Sequence, residues 1–210
     1  MSALEKIAFF QNIRNEIPNQ QLARILAAAE DVQGIQEIAE NLTHPNMNVR
    51  SDCLKVLYEI GYLKPSLIQA YIQDFLLLLE SKENRMIWGA FIALATTASL
   101  RPHEIWAHID TVLAKFDQGS LITVVWGIKL FSSLAAAEKE YSTRLFPIML
   151  HTLETCLPRD VPTHAENMLP AITTGSKHLI LALLGSRQAE MTSSQVTRCR
   201  RVIKKIQSIA

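Results

Sequence analysis

Displaced along itself by 37 residues, the chain superposes its own apolar positions. Cys53, Ala90 and Gly127 align as small residues. Val56, Ala93 and Leu130 follow, then Leu57, Leu94 and Phe131, then Ile60, Thr97 and Leu134, and then Gly61, Ala98 and Ala135. The segments before them obey the same shift. Ile35, Ile72, Ile109 and Phe146 align, as do Ile38, Phe75, Val112 and Met149. Ala39, Leu76, Leu113 and Leu150 form a further row, and Leu42, Leu79, Phe116 and Leu153 another. Spacings of three and four within each segment are helical, and few segments alternate with period two, so no sheet is expected. A fixed period of this length means stacked supersecondary units, each burying its apolar face against the next.

Each unit reads as a helix A, a short turn and a helix B. Helices A are expected near 32–42, 65–80, 102–116 and 140–156, and helices B near 47–62, 84–99, 120–136 and 162–174. Two helices near 3–14 and 19–30 precede them, and a segment near 176–186 and a last helix near 193–208 follow. Pro65 and Pro102 open two A helices, where a missing N–H costs nothing. Pro147 and Pro170 fall inside elements and are expected to kink them. Ser193 and Ser194 offer an N-cap for the last helix. No linker composition interrupts the chain, so one domain over 1–210 is expected, with its clearest repeats at 32–62, 63–99, 100–137 and 138–175.

The stretch from His44 to Gly61, HPNMNVRSDCLKVLYEIG, resembles the second helix of a HEAT-type repeat. Val49-Arg50 fits the Val-Arg pair of that family, with Asn46 or Asn48 in place of its acidic residue. Met86-Ile87 and Thr123-Val124 stand there in the next units, so the family's polar ladder is kept once. The resemblance to the HEAT/armadillo class implies an all-α fold. It would be a right-handed α-α superhelix of about five helix pairs, with the B helices on the concave side and a C-terminal capping helix. It also implies a binding scaffold, although fold alone does not decide function.

Charge is unevenly placed. The net charge is +1, yet Arg198, Arg200, Arg201, Lys204 and Lys205 crowd the tail without an acid, leaving 16 basic and 20 acidic groups before it. Cys53, Cys156 and Cys199 form no CxxC pair, which suits free thiols in a reducing compartment such as the cytoplasm. After Glu5 and Lys6 the apolar run Ile7 to Phe10 is too brief for a signal-peptide core. The uncharged run from Met86 to Leu100 falls short of the ~20 residues that a membrane span needs.

Ser51, Asp52, Lys55 and Glu59 are expected to form a solvent-facing side of the first B helix. The next B helices lack such a side. Trp88 and Ile92 stand at positions matching Ser51 and Lys55, and Lys129 is the one charge between Gly119 and Ser133. A helix that is apolar all round is either enclosed or covers a partner. Two readings follow: these helices are core, or Tyr58, Trp88, Ile92, Trp126 and Lys129 form a strip that receives a peptide, another protein or a second copy of the chain. The basic tail also has two readings: a docked amphipathic cap, or a contact to nucleic acid or another polyanion.

No cofactor, metal or catalytic motif emerges. The glycines make no phosphate loop. His103 and His108 stand five apart rather than the four of a helical zinc pair. Trp106 and Asp110 are similar to the W-x-x-x-D pair of HEAT-repeat alkylpurine DNA glycosylases. That resemblance implies a tryptophan packed on a nucleotide and a carboxylate facing cationic charge, but the body of this chain is acidic. The reading is therefore a non-catalytic interaction scaffold or adaptor, with nucleic-acid association through the tail as the alternative and a glycosylase-like enzyme behind it.

Overall fold

The computed structural model describes residues 2–209 and is built of α-helices and short 3-10 turns. Its contacts gather into two compact units, Met1–Val124 and Val125–Ala210.

In the first unit α1 (Ile17–Ala29), α3 (Met47–Leu63) and α5 (Asn84–Thr97) form a row of neighbours. Helices α2 (Val32–Glu40) and α4 (Ile72–Leu78) back α3 and α5 respectively. Two short helices, α6 (Pro102–Trp106) and α7 (Ile109–Asp117), take the place of the single helix expected over 102–116. The A helix expected over 65–80 is likewise divided, into two 3-10 turns and α4.

The 37-residue register is the packing register. Cys53 and Ala90 are fully buried, as are Val56, Ala93 and Leu130; Leu57, Leu94 and Phe131; and Ile60, Thr97 and Leu134. The A-helix row Ile38, Phe75, Val112 and Met149 is fully buried too. The alignment is looser in the later A helices: Leu113 and Leu150 are half-exposed, and in the fourth Leu145 is buried and Phe146 half-exposed.

Polar side chains hold the start of the chain. Residues 3–14 do not form the expected helix; they make a 3-10 turn at Leu4–Lys6 and further turns, with Asn12 in the left-handed region at φ 53°. The backbone bonds that a helix would use are taken elsewhere. Ala8 N–H donates to Asn19 Oδ1 (2.9 Å) and Phe9 N–H to Asp52 Oδ2 (2.8 Å), while Asn19 Nδ2 donates to Asp52 Oδ1 (2.8 Å). Glu37 accepts from the Ser2 hydroxyl and from Ala3 N–H (2.8 Å). Burial works to raise the Glu37 pKa, but these hydrogen bonds and one from Leu4 outweigh it and hold the carboxyl below its ordinary value.

The second unit begins within α8 (Leu121–Ala137) and continues with α9 (Lys139–Thr155), α10 (Val161–Met168), α11 (Lys177–Arg187) and α12 (Ser193–Gln207). Helix α9 runs on through Pro147, whereas α10 gives way to a 3-10 turn containing Pro170. Thr192, not Ser193 or Ser194, caps α12, in a reciprocal box with Gln195. Cys199, Val202 and Ile206 pack α12 onto α10 and α11.

The C-terminal end of α9 is closed from outside. Buried Arg187 donates to the carbonyls of Leu153 (2.9 Å), Glu154 and Cys156 (2.7 Å), and to Glu190 (3.0 Å). The last carbonyls of a helix have no partners within it, so one guanidinium satisfies several at once. His164 is buried beside this core, and its Nδ1 has no hydrogen-bond partner. Burial lowers its pKa, against an opposing pull from Asp160.

Two consequences can be measured. Arg187→Ala is expected to cost about 3 kcal/mol in urea unfolding, because buried carbonyls lose their donor. The folded state holds His164 neutral, whereas in the unfolded chain it takes up a proton near its ordinary value of about 6.5. Stability is therefore fully present above that value and declines as pH falls below it. Urea midpoints compared at neutral and mildly acidic pH should show the decline, and His164→Leu should reduce it.

Candidate functional site

The residues expected to form the strip lie on the B helices. In the first unit, α5 is enclosed rather than displayed: Met86 and the run Gly89 to Ala95 are all buried. Of the strip residues, Tyr58 and Ile92 are each 4 % exposed, so neither offers a surface. Trp88 is half-exposed, and its ring centroid lies 6.2 Å from that of Tyr58. Tyr62, one turn further along α3 and 42 % exposed, lies 5.8 Å from the same ring. Trp88 with Tyr62 over a Tyr58 floor therefore forms an accessible aromatic group on the B helices of this unit. Burial raises the pKa of both tyrosines.

Beside this group runs a charged seam. Ser51 and Lys55, expected in solvent, are buried, at 6 % and 8 % exposure. The segment before α1 covers that side of α3. Lys55 Nζ sits 2.9 Å from Glu16 and 2.7 Å from Glu59, and 4.8 Å from the Tyr58 ring centroid. Burial disfavours the ammonium, but its hydrogen bonds to Glu59 and Glu16 prevail and raise its pKa. Arg85, on α5, reaches the other oxygen of Glu16 (3.2 Å). One carboxylate thus joins α3, α5 and the entry to α1.

In the second unit the accessible side of α8 carries Val125, Trp126, Lys129 and Ser133, all half-exposed. Lys129 Nζ lies 4.7 Å from the Trp126 ring centroid. Burial alone acts on the ammonium and lowers its pKa. Asn167 on α10 donates from Nδ2 to the Val125 carbonyl (3.0 Å), and Glu166 next to it grips Arg198 of α12 through both oxygens. These bonds tie α10 to α8 on one hand and to α12 on the other. Arg198 is thereby engaged, while Arg200, Arg201, Lys204 and Lys205 stand exposed. Neither Asn167 nor Glu166 was legible as a site residue, since no spacing links them to the tryptophan or the tail.

The candidates for chemistry are dispersed. His103 lies in α6 and His108 precedes α7, so they share no helix. Trp106 is the last residue of α6 and Asp110 the second of α7, so the pair spans a helix boundary rather than lying within one helix. Burial pushes the Cys53 thiol up to about 12, and it also raises Cys156 and Cys199. None of the three is disposed to act as a thiolate at neutral pH. Among the described residues no three His, Cys, Asp or Glu side chains gather as metal ligands, and no helix is long and apolar enough to cross a membrane.

No protein-family model matches the chain, and no curated protein does. Solved structures are similar along nearly its whole length. An engineered protein from the Northeast Structural Genomics Consortium shares 15 % identity at a TM-score of 0.66, over 99 % of this chain and 98 % of that one. A designed armadillo repeat protein in complex with the peptide (KR)4 shares 12 % at 0.66, over 97 % and 98 %. A further designed armadillo repeat protein shares 13 % at 0.60, over 97 % and 98 %. At such identities the likeness establishes the fold. It is all-α and of the armadillo/HEAT-like helical-repeat kind, as the repeat in the sequence predicts.

The seam around Lys55 gives a direct test. Lys55→Met is expected to cost about 2 kcal/mol in chemical unfolding, because it leaves Glu16 and Glu59 facing each other, with the exposure of Glu16 limiting the loss. The charged form of Lys55 is favoured by folding, so its contribution is present below its ordinary pKa and is lost as pH rises above it.

Proposed function

We propose that the chain is a non-catalytic interaction scaffold that holds a segment of another protein against its B helices. The reading is carried by one observation. Trp88 and Trp126, both on B helices, are held by ring or cation contacts and yet stay half-open, while Tyr58 and Ile92 in the first unit and Ile128 and Leu130 in the second are buried. Tryptophans so placed are common anchors of protein interfaces. A designed armadillo repeat protein of similar fold has been solved with a peptide bound, which supports the same use here. Free thiols at Cys53, Cys156 and Cys199 support a cytoplasmic setting.

The nucleic-acid reading of the tail has less support. Its apolar stripe is spent on packing α12 to α10 and α11, and one of its five cations is bound to Glu166. The exposed remainder lies on a single helix, and few phosphate contacts give weak, salt-sensitive binding.

Selection from a random phage-displayed peptide library tests the proposal. Enriched peptides should bind the purified protein with a change in tryptophan fluorescence, and Trp88→Ala or Trp126→Ala should weaken them about tenfold or more. Absence of enrichment, or peptides indifferent to both substitutions in variants that remain folded, would overturn it.

A further inference from the structure

The second unit is electrically unlike the first. Residues 125–210 hold 11 basic and 6 acidic side chains, whereas residues 1–124 hold 10 and 14. Helices α8, α10 and α12 contain one carboxylate between them, Glu166, and Arg198 occupies both of its oxygens. The accessible side that these helices share therefore offers donors without free acceptors of negative charge. Lys129 and Trp126 stand on α8 and the Asn167 amide on α10. Arg201 and Lys205 stand on α12, on the flank that carries Arg198, since positions three and four apart share a helix face.

Lys129 is the telling member. It is half-buried against Trp126, with no carboxylate within salt-bridge distance among the described residues. A desolvated ammonium without a counter-charge is costly, and an arriving carboxylate relieves that cost. The neighbouring Val125 and Trp126 supply apolar area, and the Asn167 amide a further hydrogen-bonding group.

On the interaction-scaffold reading above, we infer that this face of the second unit takes an acidic, extended segment of a partner protein. The segment crosses α8, α10 and α12, with its carboxylates on Lys129, Arg201 and Lys205. Packed helices stand about 9 Å apart, so crossing three of them spans roughly 18 Å, or about six residues of extended chain. Apolar area at Trp126 and scattered cations suit a peptide better than a duplex. Duplex affinity comes from a dense run of phosphate contacts, and the cations here are interrupted by Val125, Trp126 and Asn167. Lipid is disfavoured because the apolar stripe of α12, Cys199, Val202 and Ile206, is turned inward.

Fluorescence anisotropy of the intact protein with three labelled probes tests this: a Glu-Ser repeat peptide, its Lys-Ser counterpart and a short DNA duplex. The Glu-Ser peptide should bind, weaken at moderate salt, and lose about tenfold in affinity with Lys129→Gln. Lys129→Arg should retain binding, and Arg201→Gln with Lys205→Gln, both at exposed positions, should weaken it without affecting the fold. Tighter binding of the Lys-Ser peptide or the duplex would overturn the inference, as would indifference to the Lys129 and the Arg201/Lys205 substitutions. Should the library yield only non-acidic peptides that depend on Trp88, the scaffold reading stands and this inference falls. If no peptide of any composition binds, both fall.

Discussion

Close approach of neighbouring B helices is the constraint on which the rest of the structure depends. Between α3 and α5 it is enforced from both sides. A Cβ on Gly61 would collide with Thr96 and Ile68, and one on Gly89 would stand 2.5 Å from Leu54 Cδ2. Cys53 and Ala90, fully buried, carry the same demand for small volume. With the helices this near, Val56, Leu57 and Ile60 of α3 and Ala93 and Leu94 of α5 are all fully buried, and close-packed interiors tolerate little change in volume. The spacing of small residues is thus a statement about helix separation, and it recurs because each unit faces the same neighbour geometry.

Polar seams do a different job. They fix elements that the register leaves loose. Asn19 and Asp52 hold the segment before α1, Glu16 ties Lys55 to Arg85, and Arg187 closes the end of α9. Each joins residues far apart in sequence, so breaking one member leaves a buried group uncompensated. The same seams shape the accessible surface. Because the segment before α1 covers Ser51 and Lys55, the opening beside α3 is confined to Trp88 and Tyr62.

What could be read in the amino-acid sequence follows this division. Packing was legible because volume and hydropathy recur at a fixed period; rows such as Ile38, Phe75, Val112 and Met149 are buried as the period predicts. Residues 3–14 were read as a helix since their composition permits one, and nothing local announces that Asn19 and Asp52 will take the N–H groups of Ala8 and Phe9. Lys55 looked like a surface residue by type, and only the arrival of Glu16 from another element makes it a buried ion. The candidate strip was legible in part: Trp88 and Trp126 are half-exposed, but Tyr58 and Ile92 could not be known to lie beneath the surface, and the pairing of Glu166 with Arg198 has no sequence signature.

The B helices have two sides. One keeps the register and is fixed by volume; the other is accessible and carries no such constraint. Equilibrium unfolding of Ala90→Leu beside Ser133→Leu tests that separation most directly. Ala90 is fully buried, so the added bulk of a leucine should cost about 3 kcal/mol. Ser133 lies on the accessible side of α8, where the same side chain should change stability by no more than about 0.5 kcal/mol. Equal effects at the two positions, or an Ala90→Leu variant as stable as the parent, would contradict the claim that the 37-residue register is the packing register of the fold.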